Sequence, residues 1–377
     1  MTFFPGTGDV LPLLLGGFLA AAAISLGLTP LVRAAVLRRG ILDAPNHRRV
    51  NVKPVPRGGG VAVVVAFLAV AGPLVLLHEQ IGPMPAPPRS IGPGELIALF
   101  LGGALAAALG ALDDLVDLRA RWQLIGQVAL ALFAVALGVG VVVLNNPFGP
   151  GAIPIAAPFG IAFTVVWVVG MINSINFIYG LDGLSTGIAL IAALTLGVLS
   201  VTTQVAQPFV AVLCLVLAGA LLGFLRFNFQ PASIFQGTAG VMFVGYTLAI
   251  LAILGAAKVV VAVLVLGVPI IDTFWVIVRR LSVGRSPFTP DRGHIHHRLL
   301  DLGLGHRGTV LLIYAICASL GAMSLLVSSA TQVYAFLGAL VAFGVVLFLL
   351  TRDSREALDS ESYAPRAVDA ADAGPDG

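Results

Sequence analysis

Residues 208–225 read PFVAVLCLVLAGALLGFL, with a proline at the entrance, no charged side chain inside and Arg226 at the exit. At 1.5 Å per residue a helix of this length comes close to crossing a ~30 Å hydrocarbon core. Working outward, comparable apolar runs recur at about 10–32, 59–77, 95–112, 124–144, 159–178, 186–203, 240–256, 259–278, 310–328 and 332–350, eleven expected spans in all. Each must be helical, because lipid offers no partner to backbone N–H and C=O groups. The expected fold is therefore an all-α integral membrane protein with about 11 transmembrane helices. Composition agrees: 58% of the residues are hydrophobic, 10% are charged and the mean hydropathy is +1.02, which excludes a soluble globular domain. Cys214 and Cys317 lie inside expected spans and read as small apolar residues.

Charge sets the orientation. Nineteen of the 21 Lys and Arg residues fall in 33–58, 113–123, 226–239, 279–309 and the stretch after 351, all on one side of the expected topology; only Arg89 and Lys258 lie opposite. The positive-inside rule makes the crowded side cytoplasmic, with the N-terminus outside and the C-terminus inside. Asp113, Asp114, Asp117, Asp182, Asp291 and Asp301 share that side, and Asp272 sits near it in its own span, whereas 145–158 (NNPFGPGAIPIAAP) has no charge. Any active site is thus expected at the cytoplasmic face. Residues 1–352 form one multi-pass domain; 353–377, acidic and rich in Ala and Ser, are expected to be a disordered cytoplasmic tail.

Four segments on that side carry the polar residues. DAPNHRRVNVKPVPRGGG (43–60) is broken by Pro and Gly, and its basic residues suit phosphates or anionic headgroups, or else simply fix topology. GALDDLVDLRARWQ (110–123) brings Asp113, Asp114 and Asp117 together at the end of a span. If helical, Asp113 and Asp117 share a face, and carboxylates so close call for a cation such as Mg²⁺ on a diphosphate. The alternative is a solvated helix end balanced by Arg119 and Arg121. MINSINFIYGLDGLSTG (171–187) places Asn173 and Asn176 a turn apart before a glycine-broken turn with Asp182, as polar site residues or as glue between helices. RRLSVGRSPFTPDRGHIHHRLLDLGLGH (279–306) holds His294, His296 and His297 beside Arg292 and Arg298. His294 and His297 would share a face of a helix; phosphate binding suits the set better than structural zinc, since no cysteine is near. An interfacial amphipathic segment is the alternative.

PNHRRVNVKPVPRGGG, GALDDLVDLRARWQ, NSINFIYGLDGLSTG, RFNFQPASIFQGTAG and VGRSPFTPDRGHIHHRLLDLGL occur in this order. Together they resemble the polyprenyl-phosphate N-acetylhexosamine-1-phosphate transferases, the MraY/WecA/TagO-like superfamily, over roughly residues 10–350, and HIHH points to the WecA/TagO-like branch. The resemblance implies transfer of a sugar 1-phosphate from a UDP-N-acetylhexosamine to undecaprenyl or another polyprenyl phosphate, with release of UMP, in a bacterial plasma membrane. It implies Mg²⁺, with Mn²⁺ as a substitute. Its partners are those two substrates and membrane lipid, a homodimer is allowed, and no nucleic-acid partner is expected. Carried over by motif, Asp113 and Asp114 match the catalytic acidic pair. Asn173 and Asp182 match positions at the metal and nucleotide, and Lys53 matches a basic residue near the nucleotide. Asn228 and Phe235 match positions that contact or stack on uracil, and Arg292, His294, His296 and His297 match the diphosphate-side loop.

Two positions depart from the family pattern. Tyr179 stands where bacterial relatives have the first acid of DGxDG, a loss that eukaryotic relatives share. Gly237-Thr238-Ala239-Gly240-Val241 stands for GDxGS, so Thr238 replaces a carboxylate that ligates the metal. A transferase is the leading expectation, and a family member with impaired catalysis and a binding or regulatory role is the alternative. A transporter would show repeated halves, and an aspartate-rich prenyltransferase a second acidic motif.

Overall fold

The structure is a computed structural model that describes residues 3, 5–43, 54–81, 84–88, 90–145, 152–203, 205–255, 259–282, 284, 294–326, 334, 338, 341–342 and 345. Lys53, Arg292, most of the expected span 332–350 and the tail 353–377 lie outside these residues. The helices are α1 (Thr7–Arg38), α2 (Gly60–Leu76), α3 (Pro93–Val116), α4 (Ala120–Ala136), α5 (Ala157–Phe177), α6 (Leu184–Ser200), α7 (Pro208–Asn228), α8 (Gly237–Leu254), α9 (Val259–Val265), α10 (Gly267–Ser282), α11 (Ile295–Asp301) and α12 (His306–Leu326). Among the described residues, α1, α3, α5, α7, α8 and α12 are long and apolar enough to cross a membrane, while α2, α4 and α6 are shorter apolar helices. The protein is thus a mostly helical, multi-pass membrane protein, with six helices meeting the length criterion where the sequence suggested eleven spans.

Helices α7 and α8 form the centre and are buried almost all round; the others surround them. Small residues allow this. Gly219 and Gly223, four apart on α7, bring its backbone against α1, where an added Cβ would strike the carbonyl oxygens of Phe18 and Ala22. On α3, Gly102 receives the Tyr246 side chain, whose hydroxyl donates to the Ala98 carbonyl at 2.8 Å, and Gly110 sits on the backbone of Thr238 and Ala239. Trp167 of α5 donates its Nε1–H to the Ala249 carbonyl of α8 at 3.1 Å. Leu101, Leu105, Ile125, Leu132, Val166 and Leu311 face outward, as lipid requires.

Two expectations need correction. The run 259–278 is two helices, α9 and α10, parted at Leu266. Pro269 cannot donate to the Val265 carbonyl, and its ring crowds that group. The run 124–144 leaves the helix after Ala136; Gly138 has φ +97°, and Val143–Asn145 (β3) pairs antiparallel with Ala152–Pro154 (β4). Earlier in the chain Leu42–Asp43 (β1) pairs antiparallel with Val55–Pro56 (β2), so the described residues carry two small β-ribbons.

Candidate active site

One end of the bundle gathers the polar residues. α3 stops at Val116, and Asp117 takes the left-handed conformation, φ 48°, so Asp113 and Asp117 do not share a helix face. The bend nevertheless turns both into one cavity of about 250 Å³, lined by Asp43, Arg57, Asp113, Asp114, Asp117, Gln123, Asn176, Tyr179 and Thr238. Asp113 and Asp114 are buried. Asp113 Oδ1 accepts from the Leu118 N–H at 2.9 Å and from Gln123 Nε2 at 2.7 Å. Asp114 crosses to α8, where Oδ1 accepts from the Thr238 N–H at 2.9 Å and Oδ2 from the Ala239 N–H at 3.1 Å. These are amides of the first turn of α8, so Asp114 supplies the negative charge that a helix N-terminus favours.

In the sequence Arg57 is one of several basic residues of 43–60 that suit phosphates or fix topology. In the structure the Phe235 N–H donates to the Pro56 carbonyl and the Gly59 N–H to the Phe235 carbonyl, both at 2.8 Å, seating 55–60 beside the start of α8. That places Arg57 in the acidic cavity, donating through Nη2 to the Asp114 carbonyl at 2.8 Å and to Asp117 Oδ1 at 2.9 Å. Burial works against its charge, but the Asp117 hydrogen bond and the negative charges of Asp117, Asp114 and Asp113 outweigh it and hold the guanidinium above its ordinary pKa. Gln123 and Asp43 are further cavity residues that sequence reasoning passed over; neither stood in a distinctive pattern.

A second cavity of about 420 Å³ adjoins the first, sharing Gln123 and Asn176. It runs between α4, α5 and α10, and its walls, including Leu124, Val128, Val166, Val169, Phe177 and Ile277, are almost wholly apolar. Asn173 belongs here: its Nδ2 donates to Gln127 Oε1 at 2.5 Å and to the Val169 carbonyl at 2.8 Å.

The remaining expected residues are placed apart from the acidic cavity. Asp182 Oδ2 accepts from the Ala232 N–H at 2.9 Å, and its own N–H donates to His306 Nε2 at 3.0 Å. Asn228 is buried and internally engaged, accepting from Thr186 Oγ1 at 2.8 Å and donating to the Ile234 carbonyl at 3.1 Å. Phe235 meets Tyr179 edge-on, ring centres 6.2 Å apart, while the Tyr179 hydroxyl accepts from the Gly237 N–H at 3.1 Å. His294 is not helical: it is the extended residue ahead of α11, φ −69° and ψ 148°, so it does not share a helix face with His297. His296 stacks on His294 and touches His297, with ring centres 5.6 and 4.4 Å apart. Its ring nitrogens have no hydrogen-bond partner among the described residues, and it lies against Gly180, where a Cβ would collide with Nε2. Burial, then the neighbouring His297, His294 and His306, push its pKa well below the usual histidine value, so the ring is neutral.

Asn173 and Asp182 do not meet, and among the described residues no three His, Cys, Asp or Glu side chains converge on a metal position. In the acidic cavity the backbone amides of α8 occupy both oxygens of Asp114, while Asp113 Oδ2 and Asp117 Oδ2 accept no hydrogen bond among the described residues. Two carboxylates completed by substrate phosphates are a donor set that suits Mg²⁺.

Comparison with known proteins places this arrangement. The profile of glycosyl transferase family 4 matches residues 96–256, which carry the acidic cavity's α3, the α5–α6 turn and the start of α8. A probable undecaprenyl-phosphate N-acetylglucosaminyl 1-phosphate transferase of Bacillus subtilis is 32% identical over 354 residues, 92% of this chain and 93% of the relative. The chain belongs to glycosyl transferase family 4. Within it, the decaprenyl-phosphate N-acetylglucosaminephosphotransferase of Mycolicibacterium smegmatis is 36% identical over 361 residues, 88% of this chain and 87% of the relative. The undecaprenyl-phosphate alpha-N-acetylglucosaminyl 1-phosphate transferase of Yersinia pestis is 30% identical over 304 residues, 77% and 78% of the two chains. The family relationship thus spans nearly the whole bundle, both cavities included.

Proposed function

We propose that this family 4 protein transfers N-acetylhexosamine 1-phosphate from a UDP-sugar to polyprenyl phosphate, releasing UMP, at the cytoplasmic face of a bacterial plasma membrane, with its N-terminus outside. The observation that carries this reading is the shared wall of the two cavities. An acidic, Arg57-bearing chamber abuts a lipid-facing apolar trough through Gln123 and Asn176. A lipid phosphate needs both environments, with its chain in the trough and its head at the boundary.

The reaction forms a bond between an acceptor phosphate oxygen and the β-phosphorus of the nucleotide sugar, and breaks the bond from that phosphorus to the α–β bridging oxygen, which leaves on UMP. Such transfers depend on alignment and charge neutralisation. Arg57, held protonated, offsets negative charge at the chamber. Gln123 holds Asp113 Oδ1, leaving the other oxygen of this chamber-lining carboxylate for a cation. Asp114 ties α3 to α8 and keeps Thr238 at the chamber wall. Mg²⁺, or Mn²⁺ in its place, held by Asp113 and Asp117, would neutralise the diphosphate. The neutral His296 neighbourhood and the 178–183 turn, against which it packs at Gly180, are assigned to the donor side.

A second reading has its own support: Thr238 lines the chamber with a hydroxyl in place of a carboxylate, and Tyr179 occupies part of it. In that reading the protein binds these ligands without turnover. Purified protein, polyprenyl phosphate, Mg²⁺ and a panel of UDP-N-acetylhexosamines separate the two. Release of UMP with labelled sugar entering the lipid phase, abolished in Asp113→Asn, supports transfer; UDP-sugar binding without UMP release supports the second reading.

A further inference from the structure

α10 carries one acid in its apolar stretch, Asp272, and its side chain is completely buried. A carboxylate in that setting is costly unless fully compensated. Its compensation comes from the loop before α11. Asp272 Oδ2 meets His294 Nδ1 at 2.8 Å, and Oδ1 accepts from the Ile295 N–H at 2.9 Å. One carboxylate therefore grips the ring of one residue and the backbone of the next, which fixes ring rotation as well as position. An ionised carboxylate only accepts, so Nδ1 must be the donor and Nε2 is the nitrogen left for other use.

The pair lies directly behind the head of the trough. Thr273, next to Asp272, and Phe177, whose ring centre is 6.0 Å from that of His294, both line it, and Asn176 beside Phe177 lines both cavities. The parallel His296 ring, inclined only 10° to His294, closes another side. We infer that Asp272 is a positioning residue for the reaction: it holds His294 in one tautomer and orientation, so that Nε2 is offered to the phosphate end of the substrates. This rests on the transfer reading above. For metal-ligating histidines, altering the carboxylate that orients the ring typically costs about 10–100-fold, and a loss of the same order is expected here.

The test is a cycle of Asp272→Asn, His294→Gln and the double variant in the purified full-length protein, with kcat and KM for the UDP-sugar. Asp272→Asn should lower kcat on the order of 10–100-fold with KM little changed. The double variant should be no slower than His294→Gln alone, because Asp272 acts only through that ring. Multiplying effects, or a wild-type rate in Asp272→Asn, would overturn the inference. A second readout is ¹⁵N-histidine NMR in detergent, assigned with His294→Gln. His294 should be protonated at Nδ1 in the wild type and lose that fixed signature in Asp272→Asn. An unprotonated Nδ1 in the wild type defeats the inference even where Asp272→Asn fails to fold. A wild type that releases no UMP with any sugar brings down the transfer reading instead, and the spectrum then judges the Asp272–His294 tether by itself.

Discussion

Asp114→Asn separates two roles that the acidic pair combines. The sequence suggests that both carboxylates serve chemistry alone, yet Asp114 also holds two amides of the first turn of α8, Thr238 at 2.9 Å and Ala239 at 3.1 Å. Asparagine keeps the shape but turns an NH₂ toward one of those buried donors and removes the charge from a helix N-terminus. An unsatisfied buried amide costs about 1–3 kcal/mol, and loss of the charge–dipole contact up to about 2 kcal/mol in partly buried geometry. Because the two describe overlapping contacts, a loss of about 2–4 kcal/mol is expected. With roughly 2 cal/mol/K of unfolding entropy per residue, this corresponds to a fall in Tm of roughly 3–6 °C. Cys214 and Cys317 are buried thiols outside any disulfide, so a thiol-reactive dye reports unfolding in detergent. Asp113→Asn is the contrast: Asp113 uses only Oδ1 toward Leu118 and Gln123, and asparagine can keep both bonds. Its Tm should stay near wild type while transfer is lost. An unchanged Tm in Asp114→Asn, or an equal fall in Asp113→Asn, would refute the capping argument.

Two further outcomes are expected. Thr238→Asp adds a carboxylate to the chamber wall, so UMP release should rise at low Mg²⁺; wild-type turnover that is robust at ordinary Mg²⁺ and unimproved by the change would show that Asp113 and Asp117 suffice. Cysteine at the exposed Ile153 should react with an impermeant reagent from outside the cell, and cysteine at the exposed Leu302 only after permeabilisation; external labelling at Leu302 would reverse the orientation.

Much of the fold is legible because lipid leaves the backbone one solution. Eight of the eleven apolar runs each fall on a single helix, and the 208–225 run is α7 almost as bounded, since Pro208 can open a helix and an uncharged stretch has nowhere to stop. The break at Leu266 was less visible: Pro269 sits in an apolar run like any other, and a kinked span and two helices differ only by how Val265 satisfies its carbonyl. Within the site, Asp113, Asp114 and His294 stood out because charges and histidines are scarce in such a chain. Asn228 matched a substrate position by motif, yet its amide is engaged with Thr186 and Ile234, because motif order says nothing about which partner a buried amide finds.

The sequence by itself determined the membrane class and the family, since these follow from hydropathy and ordered motifs that need no third dimension. Only the tertiary structure decided what each polar residue faces. Arg57 enters the acidic chamber because 55–60 pairs beside α8, and Asp114 caps a helix 124 residues further along the chain. Asp272 holds His294 across 22 positions. A buried charge is specified by the donors around it, and those donors come from chain segments whose meeting is set by packing of small residues such as Gly219, Gly223 and Gly110, which local pattern does not record.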